Sequence, residues 1–188
     1  MADPRFTTVA GERIALRRFA LADLSTFVAY RSDPDVARYQ SWEAPYPRAV
    51  GQRAIRAMLQ EHPDTPGEWF QFAIELRATG EMIGDCASGT DAEDPRQAEI
   101  GFTLRPEFQG HGYGTEAART LLGYLFGSRA KHRVTARCDP RNAASVAVLE
   151  RLGMRREGHT VESTWAKGEW TDDLLFAILQ REWLQLRG

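Results

Sequence analysis

Gln109-Gly110-His111-Gly112-Tyr113-Gly114 is the stretch on which the reading of this chain turns. Glycines at alternate positions let the backbone bend tightly and aim successive N–H groups at one point. The segment after it is amphipathic: Ala117, Ala118, Leu121, Leu122, Leu125 and Phe126 form one apolar helical face. A helix start adds unpaired donors and the positive end of a dipole. Bend and helix start together suit a phosphate or pyrophosphate. On local physics alone a flexible turn ahead of a helix remains the alternative, because glycine loops are common.

Two other phosphate loops fail on context. A P-loop needs Gly-Lys-Ser/Thr after four spacer residues, and this stretch has no lysine. Gly112, Gly114 and Ala117 align as a dinucleotide-binding G-x-G-x-x-A, but that motif follows its strand directly and opens the first β-α-β unit. Here Arg105 to Phe108 intervene, and the loop lies past mid-chain.

Working outward, Glu99 to Leu104 reads as a strand ended by Arg105-Pro106, and Ser88 to Arg96 before it as a polar excursion. Trp69 to Leu76 and Glu81 to Ala87 read as strands joined at Ala78-Thr79-Gly80. Earlier still, Arg13 to Arg17 alternates as a short strand. Asp23 to Tyr30 is a helix broken by Asp33-Pro34, Tyr39, Trp42 and Tyr46 lie in a loop, and Ala49 to Leu59 is a second helix. Downstream come a strand at Arg133 to Arg137, a helix from Asn142 to Leu152 stopped by Gly153, and two strands around Lys167-Gly168.

The 188 residues suggest one domain, 1–188. With 43% hydrophobic and 27% charged residues, the chain reads as globular rather than disordered. A formal net charge of −2 does not point to nucleic acid. Cys86 and Cys138 are too few for a disulfide scaffold and lack metal-ligand spacing, so free thiols and no metal are expected. Met1 to Ala10 has no apolar run of the signal-peptide kind, and nothing approaches the roughly 18 apolar residues of a membrane span. A cytoplasmic location with no membrane partner is the expectation.

These segments together resemble the GNAT N-acetyltransferases. Residues 109–114 match the Q/R-x-x-G-x-G/A signature of that family. Ala98-Glu99-Ile100-Gly101-Phe102 is similar to its central strand. Asn142-Ala143-Ala144-Ser145 with Val148-Leu149-Glu150-Arg151-Leu152-Gly153-Met154 is similar to its N-x-x-S…LE-x-x-G-F segment. Leu16-Arg17-Arg18, Arg31 to Val36 and Gly168 to Asp172 resemble the RimJ/RimL-like branch, so the likeness runs from Arg13 to Trp183.

The resemblance implies a mixed α+β fold: a central, mostly antiparallel twisted sheet with two splayed parallel strands and flanking helices. It implies acetyl-CoA as cosubstrate and an amine acceptor, either a small molecule or a protein N-terminus. Backbone groups of Phe102, Thr103 and Leu104 would pair with the pantetheine arm, and an N–H there would face the thioester carbonyl. Gln109, Gly110, His111, Gly112, Tyr113, Gly114 and Thr115 would hold the pyrophosphate through main-chain donors. Asn142 and Ser145 would lie at the thiol end, with Ser145 as hydrogen-bond donor or relay to the sulfur. The tyrosine that serves as acid in many relatives is replaced by Leu149.

Because members of that family often use a carboxylate on this strand, the resemblance makes Glu99 the first candidate base for removing the amine proton, its alternative being an exposed strand glutamate in an ion pair. RimL-like enzymes use a late-strand carboxylate; the matching position is Thr164, with Glu162 two residues away and expected on the same face. Tyr39 and Trp42, with Tyr46, would line the acceptor pocket or cover the core. Trp165 and Trp170 carry the same two readings and are also candidate contacts of a homodimer. Transfer of a larger acyl group such as succinyl, and a non-catalytic CoA-binding module, are the alternatives.

Overall fold

The computed structural model describes residues 6–186; positions 1–5, 187 and 188, which the expected 1–188 domain includes, lie outside the described residues. A short antiparallel pair, β1 (Thr8–Ala10) and β2 (Ile14–Arg17), comes first. Helices α1 (Leu24–Arg31), α2 (Pro34–Ala37) and α3 (Arg48–Met58) come next. Asp33-Pro34 does end α1, as expected, but it also starts α2: the Asp33 carboxylate accepts the N–H groups of Asp35 and Val36, and proline stands where no N–H is needed.

Strands β3 (Trp69–Leu76), β4 (Met82–Thr90) and β5 (Gln97–Leu104) form an antiparallel meander. The polar excursion expected over Ser88 to Arg96 begins only after Thr90. Ser88, Gly89 and Thr90 continue β4 and pair with Ile100, Glu99 and Ala98, and the Thr90 hydroxyl accepts from the fully buried Lys131 ammonium at 3.1 Å. That ammonium also donates to the Pro95 carbonyl and pairs with Asp64, so polar residues are buried here because each has a partner.

Helix α4 (Tyr113–Gly123) runs on through a π-helical turn, Tyr124–Ser128, which carries Leu125 and Phe126 into the core. Strand β6 (Arg133–Cys138), helix α5 (Ala143–Arg151), strands β7 (Arg155–Ala166) and β8 (Glu169–Leu179), and helix α6 (Gln180–Gln185) complete the described chain. The eight strands form one sheet in the order β1-β2-β3-β4-β5-β6-β8-β7, and only β5 and β6 are parallel neighbours. The mixed, mostly antiparallel sheet with flanking helices is the fold expected.

Strand alternation gives the sheet two unlike faces. Ile100, Val134, Ala136, Leu174 and Phe176 join Ala117, Leu121 and Leu149 in one core under α4 and α5. Phe27, Tyr30, Ile55 and Ala73 belong to a second core under α1 and α3. On that second face the Tyr30 hydroxyl donates to Asp85 of β4, which stands opposite Thr103 of β5. Glu99, Gly101 and Thr103 therefore share a face with α1, and Ile100 and Phe102 share the other with α4.

Candidate active site

The site begins where two strands stop pairing. β5 and β6 are joined only at Gln97–Arg133, Ala98–Val134 and Glu99–Thr135. Beyond that, Ile100 to Leu104 pair with β4 on one side alone, leaving a main-chain edge turned to the gap. A backbone edge of this kind needs hydrogen-bond partners and can take an extended ligand as an added strand.

The glycine loop lies at the outer end of the gap. Gly110 and Gly112 have φ of 77° and 82°, a conformation that a side chain strains, and Gly112 is the residue from which α4 starts. Gln109 donates its amide to the Leu104 carbonyl at 3.0 Å, tying loop to strand. Arg13 donates to the His111 carbonyl at 3.2 Å, pairs with Glu116 at 2.7 Å and stacks on the Tyr113 ring. Glu116 also accepts the backbone N–H groups of Arg13 and Ile14; although burial opposes it, these donors hold its carboxyl below the usual range. The loop is thus pinned from both sides, while its N–H groups stay at the head of α4.

A cavity of about 510 Å³ runs along this edge, lined by Phe102 to Leu104, Gln109, Gly110, Gly112, Gly114, Thr115, Asn142 and Ser145, with Tyr39 and Gln40 across from them. A smaller pocket of about 100 Å³ continues between the splayed strands, bounded by Ile100 to Phe102, Ala136 to Asp139, Ser145 and Leu149. The side chains of His111 and Tyr113 do not line either space; their rings face each other, and Tyr113 packs on Phe108 and Arg13. Asn142 caps α5, its side chain accepting the Ser145 N–H at 3.1 Å as the sequence suggests.

Glu99 stands on β5 at the point where the pairing ends, one residue before the lining of the inner pocket begins, and lines neither space itself. Burial raises its carboxyl above the ordinary range; Arg137, at 3.8 Å, opposes that rise and Asp173 adds to it. Burial, helped by Asp139 and Asp173, pushes the Cys138 thiol up to about 11, so it stays protonated at neutral pH.

One sequence expectation is corrected, and for Trp42 the structure favours the second of its two readings, cover of the core. Glu162 does not share a face with Thr164 by simple alternation: the β7–β8 register slips between Thr160 and Thr164, and Glu162 has φ 47°. Its N–H donates to Asp172, and it lines neither space. Trp42 also lies away from both spaces; it donates to the Arg31 carbonyl and covers the Arg31 guanidinium, 3.9 Å from the ring centroid. Of the two aromatics, Tyr39 alone reaches the cleft, where its hydroxyl donates to the Arg141 carbonyl.

Gln40, Val148 and Arg151 line the cavity without being singled out by the sequence reading. Ser145, Val148 and Arg151 recur every three residues on α5, a spacing that puts them on one helical side and is readable. Arg13 and Asp173 carry no such signal, since their partners are remote in sequence. Among the described residues no group of three or more His, Cys, Asp or Glu side chains is placed to hold a metal ion, and no helix is long and apolar enough to cross a membrane.

Residues 13–155 match the family described as the acetyltransferase (GNAT) domain. The chain is 31% identical to the uncharacterized N-acetyltransferase p20 of Bacillus licheniformis, over 94% of this chain and 98% of that protein. It is 30% identical to the ribosomal protein uS5-alanine N-acetyltransferase of Escherichia coli over a shorter stretch, 45% of this chain and 43% of that one. Among solved structures, a GNAT-family acetyltransferase of Bacillus anthracis superposes with a TM-score of 0.84 at 28% identity, covering 94% of this chain and 100% of that one.

Proposed function

The chain belongs to the GNAT family and is an N-acetyltransferase, and from that premise we propose that it transfers acetyl from acetyl-CoA directly to a primary amine in the gap between β5 and β6. The observation that carries this reading is the unpaired β5 edge, Ile100 to Leu104, leading to the glycine loop at the head of α4. The residues present fit the cosubstrate: an open edge for an amide-bearing arm, and main-chain donors at a helix start for its pyrophosphate.

Acetyl-CoA, when bound, supplies the activated acetyl group as a thioester. Main-chain amides from Gly110 to Thr115 neutralise the pyrophosphate. Phe102 to Leu104 pair with the arm, and an N–H of this stretch faces the carbonyl oxygen as negative charge develops there. Glu99 takes the proton from the acceptor ammonium, directly or through a water, so that the free amine attacks the carbonyl carbon. The tetrahedral adduct loses its second nitrogen proton to water, the carbon–sulfur bond breaks, and Ser145 donates a hydrogen bond toward the departing thiolate, which gains a proton from water directly or through that hydroxyl. Tyr39 walls the acceptor side.

The inner pocket of about 100 Å³ supports acetyl over succinyl as the group carried. Relatives described as N-acetyltransferases favour the enzyme over a non-catalytic binding module. The acceptor is proposed as a small amine or a protein N-terminus.

Thiol release from acetyl-CoA, measured against benzylamine, spermidine, kanamycin and an alanine-initiated tetrapeptide, tests the reading. At least one acceptor should gain an acetyl group by mass. Glu99→Gln should lower kcat about 10²- to 10⁴-fold while leaving acetyl-CoA affinity intact. The acid limb of the wild-type rate profile should fall above the ordinary carboxylate range, because Glu99 must be ionised to act. An undiminished Glu99→Gln enzyme would make Glu99 structural.

A further inference from the structure

Helix α5 faces the larger cavity from end to end. Asn142 and Ser145 stand at its inner end and border both spaces, whereas Val148 and Arg151 border the larger one alone. From Ser145 to Val148, and again from Val148 to Arg151, the helix advances about 4.5 Å. Val148 is level with the glycine loop, since a Cβ placed on Gly114 would lie 3.8 Å from its side chain. Arg151 therefore stands one step beyond the loop, on the side away from the thiol end.

Most arginines near the cleft carry a carboxylate. Arg13 pairs with Glu116 at 2.7 Å, Arg31 with Asp85 at 3.3 Å, Arg105 with Glu81 at 2.7 Å, and Arg141 with Asp139 at 2.6 Å. Arg151 differs. Its guanidinium lines the cavity and has no ion pair or hydrogen bond among the described residues.

A second guanidinium comes alongside it. Arg119, one turn beyond Thr115 on α4, donates to the Arg151 main-chain carbonyl at 3.5 Å and has no carboxylate partner among the described residues either. Glu116, three residues before it, is held by Arg13. The one carboxylate in the cavity lining, Asp35, belongs to α2 on the opposite wall and pairs with neither guanidinium. The outer end of the cavity thus carries two positive charges that no described residue neutralises.

The amides of the loop serve one anionic group, the pyrophosphate. A planar, permanently charged fork one step further out suits a second, a terminal phosphate monoester, which carries about two negative charges at neutral pH. Coenzyme A bears such a group on its ribose, next to the pyrophosphate. We propose that Arg151 binds the ribose 3′-phosphate of acetyl-CoA, with Arg119 adding positive charge, so that the chain selects CoA over carriers that lack this phosphate. The inference rests on the transfer reading above and deepens it by naming the residue that decides which thioester carrier is accepted. The contact is charge-assisted, and because Arg151 is exposed, salt screens it.

The test is calorimetric titration of CoA and 3′-dephospho-CoA into wild type and Arg151→Gln, at about 0.1 M and about 1 M salt. Wild type should bind CoA about tenfold more tightly than 3′-dephospho-CoA at the lower salt, and the gap should narrow at the higher. Arg151→Gln should weaken CoA about five- to tenfold and leave 3′-dephospho-CoA within about twofold of wild type, closing the gap. Equal weakening of both ligands would put Arg151 on the pyrophosphate or in a purely structural role and overturns the proposal. A gap that persists in Arg151→Gln, or that is missing in wild type, overturns it too. If wild type binds neither ligand, the transfer reading falls and takes this inference with it. If wild type binds CoA and only the gap behaves otherwise, that reading stands and this inference alone falls.

Discussion

The glycine-loop end of the cleft borders the larger cavity, whereas the β7–β8 end contributes no residue to the lining of either space. The first end is pinned by side chains that bond main chain: Gln109 to Leu104, Arg13 to His111, and Glu116 to the backbone of Arg13 and Ile14. The second is held by side chains reaching across elements: Lys167 donates to the carbonyls of Ala37 and Trp42, and Arg141 links Glu169 to Asp139. Below the loop lies a dense core with Leu121, Leu122 and Phe72 fully buried, whereas the hairpin leaves Trp165 and Trp170 60% and 57% exposed as a ring pair. A binding site made of amides needs only a bend and a helix start. One made of side chains depends on which strands become neighbours.

The largest effect that would break this contrast is at Gly112. Gly112→Val forces a β-branched residue to φ near 82°, costing about 1–3 kcal/mol of strain. If the loop escapes by moving, acetyl-CoA affinity should fall about 10- to 100-fold, read by calorimetric titration, with amine KM held. Retained affinity would mean that the amides there do not hold the ligand.

Arg13→Ala sharpens the same end, removing the tie to His111 and the stacking on Tyr113. Because Arg13 is half-exposed, a rise of about three- to tenfold in acetyl-CoA KM is expected, again without change in amine KM. At the other end, Lys167→Ala frees the hairpin tip from Ala37 and Trp42. Amine KM should then rise about two- to fivefold while acetyl-CoA KM stays put. A reversed pattern in either variant would show that the two ends are not independent.

The smallest effect concerns stability. Burial raises the Glu99 carboxyl in the folded state, so its ionised form is disfavoured there, and the stability it contributes at low pH is lost as pH rises through the raised value. Glu99→Gln should therefore raise Tm slightly at neutral pH, and the gain should vanish below about pH 4, near the ordinary glutamate value. Calorimetry at both pH values checks the sign.

The glycine loop, the β5 strand and the capped α5 helix are legible because each is written in contiguous residues: alternate glycines, period-two alternation ahead of Arg105-Pro106, and Asn142 three residues before Ser145. Glu162 escapes such a reading because alternation assumes an unbroken ladder, and the register slip beside Thr160 breaks it. Trp42 is ambiguous for another reason: an aromatic in a loop says nothing of what it covers, and here it covers Arg31. The far end of β4 is hidden because Ser88 and Thr90 look like loop residues until Ile100 and Lys131 arrive beside them.

By itself the sequence determined the main strands and helices and the glycine bend, since these depend on backbone freedom and side-chain periodicity within short windows, while the class of fold and the candidate Glu99 came from its resemblance to the GNAT family. Only the tertiary structure decided that β5 and β6 part after Glu99 and that Arg13 braces the loop. Those facts arise from strand order and register, which bring together residues about 40 to 100 positions apart, and no local pattern encodes such a pairing.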